Sequence, residues 1–155
     1  MASALFSPIT LRGLTLENRI TVSPMCQYNS DNGCATDWHL MHLGTLSLGG
    51  AALVMTEMTD VTPAGRITDR CAGMWSDANE SAMKRVIDFC RQYGVAKHGL
   101  QLGHAGRKGS TQTPAKGGIH QESERRKKGD QREHRKASES LQCLDSPGCL
   151  TISGS

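Results

Sequence analysis

The run Ala51-Ala52-Leu53-Val54-Met55-Thr56-Glu57 restricts the possible folds more than any other stretch of this chain. It is mostly apolar, of strand length and without alternation, so it reads as a strand buried on both faces. Such a strand needs a covering layer on each side. Residues 36–50 supply one candidate helix: Thr36 or Asp37 can cap it, its apolar residues recur at helical spacing, and Gly49-Gly50 stops it. Residues 61–68 read as a loop. Asp77–Tyr93 follows as a second helix, with Ala82, Val86 and Phe89 along one stripe and Gly94 at its end.

Two more strands complete the pattern. Residues 20–23 form a short strand that Pro24 breaks, since proline cannot donate to a ladder. Met25, Cys26, Gln27 and Tyr28 come directly after the break, and residues 29–33 (NSDNG) are a dense turn signal. Residues 95–102 form the third strand, which runs into Gly103-His104-Ala105-Gly106-Arg107. Ahead of all this, residues 5–16 alternate around a turn near Arg12-Gly13 and suggest a small hairpin or cap. Connections of crossover length make the three strands parallel. No Gly-x-Gly-x-x-Gly follows the first strand, so the pattern leans from the doubly wound sheet toward the (β/α)8 barrel. A barrel needs about 250 residues; this chain has 155, enough for the first three β/α units.

Composition excludes several classes. The net charge of +3 is too small for a committed nucleic-acid binder. No apolar run approaches the roughly 18 residues of a membrane span, and no secretory leader is evident. The six cysteines show no C-x-x-C spacing, so no metal site is expected and reduced thiols in the cytoplasm are the default. His39 and His42 stand at i and i+3, but helix packing or hydrogen bonding is a stronger expectation than a metal pair. Cys34, Cys71 and Cys90 read as inert, and Met41 and Met83 as helix core. All six aromatics precede residue 94, whereas 11 of the 18 residues from 119 to 136 are charged.

Four segments, in order, closely resemble the N-terminal part of the old yellow enzyme family, the FMN-dependent NAD(P)H oxidoreductases. They are Leu5-Phe6-Ser7-Pro8 with Leu16-Glu17-Asn18-Arg19-Ile20; Ser23-Pro24-Met25-Cys26-Gln27-Tyr28; Asp37-Trp38-His39 through Gly49-Gly50; and Thr62-Pro63-Ala64-Gly65-Arg66-Ile67 with Gln101-Leu102-Gly103-His104-Ala105-Gly106-Arg107-Lys108. The resemblance implies an α/β TIM barrel whose mouth holds FMN, with NADPH or NADH as hydride donor. It implies that Ser23, Pro24 and Met25 line the flavin, that Cys26 sits at its redox-active edge, and that Gln101 meets the pyrimidine end. Thr59 or Asp60 falls where many members carry a small flavin-contacting residue, so an acid there is a departure. Tyr28 would donate its phenol to a substrate carbonyl. The implied reaction is hydride transfer from reduced flavin to an activated alkene, either an α,β-unsaturated carbonyl compound or an aromatic acyl-CoA type substrate. Its implied partners are a small-molecule substrate, no nucleic acid and no membrane, with homo-oligomers common in the family.

The resemblance covers residues 1–118, the N-terminal part of an FMN-binding barrel, and ends there; residues 119–155 are a charged tail with no strand pattern, whose composition suits a disordered segment or a solvated helix of mixed charge. The tail lacks the later-strand histidine pair, basic residue and phosphate grip of the family. The alternative function is therefore a non-catalytic truncated fragment, or interaction piece, with impaired FMN binding.

Overall fold

The computed structural model describes residues 3–106, 109, 111–116 and 149–153. An antiparallel hairpin of β1 (Ile9–Leu11) and β2 (Leu14–Leu16) opens the fold, turning at Arg12-Gly13 as expected. Leu16 is buried there against Ala52, Leu53 and Met55, with Ile9 and Leu14 beside them. Asn18 joins the hairpin to the sheet: its amide donates to Gly50 O, and its Oδ1 accepts from the N–H groups of Ile20 and Ala52.

The main sheet is parallel. Beyond the hairpin come β3 (Thr21–Val22), β4 (Leu53–Asp60), β5 (Ala72–Gly73), β6 (Lys97–Gly103) and β7 (Cys149–Ser153), ordered β3-β4-β6-β7. On one edge β4 pairs with β3 at Leu53 and Val54, then with β5 at Thr59 and Asp60. The chain thus leaves the sheet at Ser23 and Pro24, and the short β5 takes up the ladder further along. The apolar run does form a strand, but it continues three residues past the expected end at Glu57.

Two helices cover one face. α1 (Asp37–Leu48) begins after Thr36, whose N–H donates to His39 Nδ1 at 2.9 Å. α2 (Asp77–Tyr93) is capped by Ser76, which accepts from Asn79 N–H. Leu43 of α1 and Met83, Val86 and Cys90 of α2 close a core over Val54 and Leu100. Two expectations need correction here. The buried stripe of α2 runs through Asn79, Met83, Val86 and Cys90, so Phe89 lies at its exposed margin. Met41 is exposed rather than core, because α1 turns Leu43 and Ser47 toward the sheet instead.

β7 is a further difference, since no strand is expected within 119–155. Cys149-Leu150-Thr151-Ile152-Ser153 alternates larger apolar and small or polar residues, and it extends β6 in parallel register from His98 to Leu102. The charged stretch, residues 119–136, lies outside the described residues.

The pairing of β4 with β6 fixes which side chains share a face. Leu53, Val54 and Met55 sit opposite Lys97, His98 and Gly99; then one extra residue enters β4, and Met58, Thr59 and Asp60 meet Gln101, Leu102 and Gly103. Such a bulge restarts the alternation of the strand. His98, Leu100 and Leu102 pack toward the helices. Gln101 and Gly103, together with Met58 and Asp60 at the same register levels, therefore face away from them, as do Leu53 and Met55.

Candidate functional site

Chemistry gathers where the three crossover-linked strands end. Glu57, the residue carried by the bulge, is a buried acid at the tail of an apolar run. Its Oε2 accepts from the Gln27 N–H at 3.0 Å and its Oε1 from His39 Nε2 at 2.9 Å. Because His39 Nδ1 already accepts from Thr36, Nε2 is the nitrogen that carries the hydrogen. One carboxylate thus pins the post-β3 loop to α1 and β4. The loop supports itself as well: Gln27 donates to Met25 O, and Trp38 Nε1 donates to Gln27 Oε1. His39 therefore acts by hydrogen bonding, in keeping with the expectation for it. Ser30 also lies near His39 Nε2, at 3.4 Å, but that same nitrogen holds Glu57. A serine–histidine–acid relay needs the two imidazole nitrogens on different partners, so this trio is structural.

Cys26 and Tyr28 are brought together. The Met58 backbone hydrogen-bonds Cys26, and Met58 is the register partner of Gln101. Burial pushes the Cys26 thiol above its ordinary range, Glu57 adds to the shift, and the Met58 hydrogen bond opposes it. Tyr28 sits in the left-handed backbone region at φ 53°. Burial, then the neighbouring Cys26 and Cys71, raise its phenol above the ordinary value. Both groups therefore remain protonated at neutral pH, and Tyr28 is equipped to donate.

Asp60 ends β4 with its carboxyl fully buried, and neither oxygen has a hydrogen-bond partner among the described residues. Burial pushes it up to about 8, against the pull of Arg66 and with a further push from Glu57. Its strand neighbours are glycines on both sides, Gly73 on β5 and Gly103 on β6. The space their side chains would fill is taken by the Trp75 ring and by Met58, so a Cβ at either position would collide with them. Arg66 stacks over Trp75 with its guanidinium carbon 5.4 Å from the ring centroid. The Gln101 amide is half-buried on the same face as Asp60 and has no hydrogen bond to the described residues. Ser23 and Met25 stand at the loop's departure from the sheet, with Met25 45% exposed.

The two later segments also meet. The backbone N–H of Ala105 donates to Gly65 O at 2.7 Å, and a Cβ on Gly65 would strike the His104 ring. Arg107 lies outside the described residues. Sequence reasoning missed Glu57 as the organiser of the loop and Cys71 as a neighbour of Cys26 and Tyr28. An acid inside an apolar strand was the available signal for Glu57; Cys71 had none.

A parallel sheet with helices on one face and functional groups at its strand ends defines a β/α protein of the strand-end type. The family model of the NADH:flavin oxidoreductase / NADH oxidase family matches residues 4–143, and the chain belongs to that family. Among curated relatives, it is 44% identical over 113 residues to an NADH:flavin oxidoreductase of Gibberella zeae, covering 73% of this chain and 27% of that protein. It is 42% identical over 115 residues to the NADPH dehydrogenase of Bacillus cytotoxicus, with coverages of 73% and 33%. The chain thus spans a third or less of the length of these relatives. Morphinone reductase, solved in complex with tetrahydroNAD, is similar in structure, with a TM-score of 0.63 and 28% identity over 70% of this chain and 29% of that one. The Old Yellow Enzyme from Pichia sp. shares the fold, with a TM-score of 0.64 and 23% identity over 69% and 28% of the two chains. The structural neighbours are old yellow enzymes, and the cofactors of the family are FMN and a nicotinamide dinucleotide. Among the described residues, no helix is long and apolar enough to cross a membrane.

Proposed function

We propose that this chain is the opening part of an FMN-dependent NAD(P)H oxidoreductase of the old yellow enzyme type, its first three β/α units lying within residues 1–118. The observation that carries this reading is the meeting of Tyr28 with Cys26, and of Cys26 with the Met58 backbone, beside the strand ends where Met58 and Asp60 of β4 and Gln101 of β6 face away from the helices. The residues present fit a flavin. A fully buried carboxyl and a half-buried amide, neither with a hydrogen-bond partner among the described residues, stand on one face, where Trp75 and Met58 lie over the glycines beside them.

In this reading Ser23, Pro24 and Met25 line the cofactor through backbone and packing, and Gln101 both donates to it and accepts from it. The Cys26 thiol, kept protonated by burial, offers a weak hydrogen bond at its edge. FMN would supply hydride transfer there, from NADH or NADPH to the β-carbon of an activated alkene. Tyr28, held protonated, polarises the carbonyl oxygen of the substrate, an α,β-unsaturated carbonyl compound or an aromatic acyl-CoA type molecule.

The test is to titrate the full chain with FMN, add NADPH without oxygen, and then add an enone. Bound flavin that bleaches with NADPH and recovers with the enone supports the reading. Tyr28→Phe should slow only the recovery, by about 100-fold or more. The second reading, a non-catalytic piece, draws on the small share of its relatives that the chain spans. A folded chain whose added flavin stays free and is not bleached would favour that reading.

A further inference from the structure

Asp60 has chemistry that the proposed hydride transfer does not use. Its carboxyl is fully buried, and both oxygens lack hydrogen-bond partners among the described residues. It belongs to the strand face that bears Gln101 and Gly103 and looks away from the helices. Glycines at its own register level on both neighbouring strands bring no side chain that could bond it. What fills the space beside it is the carbon edge of the Trp75 ring (Cζ3, Cη2 and Cε3) and the Met58 thioether, atoms that offer a carboxylate no donor.

The ionisable groups around it do not rescue an anion either. On its own strand, Glu57 is a second acid, committed to Gln27 and His39. From the β3 loop comes Cys26 and from the segment before β5 comes Cys71, both thiols raised by burial and then protonated at neutral pH. Register places Gly103 of β6 opposite it, without an ionisable group. Arg66 is the cation within electrostatic reach, but it gives its own hydrogen bonds to Pro63 O and Asp69 O. A buried acid in such surroundings keeps its proton.

We propose that Asp60 is a protonated hydrogen-bond donor to the flavin ring, so that the chain holds FMN while Asp60 keeps its proton and releases FMN when Asp60 ionises. This rests on the flavin reading above. A protonated carboxyl offers one O–H, whereas an ionised one only accepts and so repels the acceptor atoms of the ring. Linkage makes the effect reciprocal: if the protonated form binds FMN better, bound FMN must raise the pH at which Asp60 titrates. Burial has already moved that titration to about 8, inside the range that binding assays can cover.

The experiment measures FMN dissociation constants of the full chain at pH 7 and pH 9, for the natural sequence and for Asp60→Asn. It also follows the Asp60 carboxyl carbon by NMR with and without saturating FMN. The natural chain should bind about tenfold more weakly at pH 9, while Asp60→Asn, whose amide always donates, should stay flat. The carboxyl titration should move to higher pH when FMN is bound. Equal pH dependence in the two proteins, or a titration that FMN leaves in place, overturns the proposal while the flavin reading stands. No FMN binding by either protein at either pH overturns both. Should the variant not fold, the carboxyl titration of the natural chain decides alone.

Discussion

Glu57 carries a disproportionate share of the local order, because one side chain serves a loop, a helix and a strand. Glu57→Ala would strand the Gln27 N–H and the His39 Nε2–H without acceptors in a buried setting. The expected loss is about 3–5 kcal/mol in chemical denaturation, and clearly less for Glu57→Gln, which keeps an acceptor. Asp60 and His98 set the pH dependence. Asp60 titrates near 8 in the folded chain against 3.8 ordinarily, so folding holds its extra proton and stability falls as pH rises through that window. His98 works in the opposite sense. Ser47 Oγ donates to Leu43 O and contacts His98 Nε2, while His98 Nδ1 has no partner among the described residues, and burial lowers its titration to about 4 from 6.5. Its unfolded form therefore binds the extra proton, and stability rises with pH from 4 to 6.5. The two slopes oppose each other below 6.5, leaving Asp60 alone between 6.5 and 8. Unfolding free energy should drop by about 2 kcal/mol across that interval, and Asp60→Asn should abolish the drop. The segment that Cys26 and Tyr28 occupy singled them out as candidates. It was silent on protonation, because burial and unpaired oxygens depend on neighbours distant in sequence.

Both helices, the hairpin and the long strand were legible because each has a local physical signature: a cap, a stop, a turn or an unbroken apolar run. β5 was not, since two residues, Ala72 and Gly73, carry no period at all; they pair because Thr59 and Asp60 offer an open ladder. The bulge was equally invisible, being a relation between two strands. The same cause explains the misplaced stripe of α2: Val86 was correct, but a one-position rotation replaces Ala82 and Phe89 with Met83 and Cys90. At this scale Gly73 is the informative position. A methyl there would lie 2.0 Å from the Trp75 ring, so Gly73→Ala should cost about 1–3 kcal/mol through overpacking. Trp75 fluorescence should shift as the ring moves away, whereas the helical circular dichroism should stay unchanged.

The sheet as a whole is covered from two directions, by the helices on one side and, near the strand starts, by the hairpin on the other. The second layer is thin: Leu16 is its central residue, 3% exposed among Ala52, Leu53 and Met55. Leu16→Ala should therefore remove about 2–5 kcal/mol. If the hairpin is integral to the fold, tryptophan fluorescence and far-ultraviolet circular dichroism should report that loss in a single shared transition; separate transitions would show that it docks independently. Architecture at this level was readable only as far as parallel strands and crossover helices reach. The pairing of β7 with β6 depends on the open edge of β6, not on any strong pattern in residues 149–153.

The replacement of β3 by β5 along one edge of β4 separates two duties that a continuous strand would combine. Backbone continuity of the sheet passes to Ala72 and Gly73, so the detour that begins at Ser23 is relieved of ladder pairing with β4. The detour is held to β4 by single ties instead, the Gln27 N–H on Glu57 and Cys26 on the Met58 backbone, so its side chains can change without breaking the ladder as long as those ties are kept. The fold has in effect a removable tip mounted on a fixed handle.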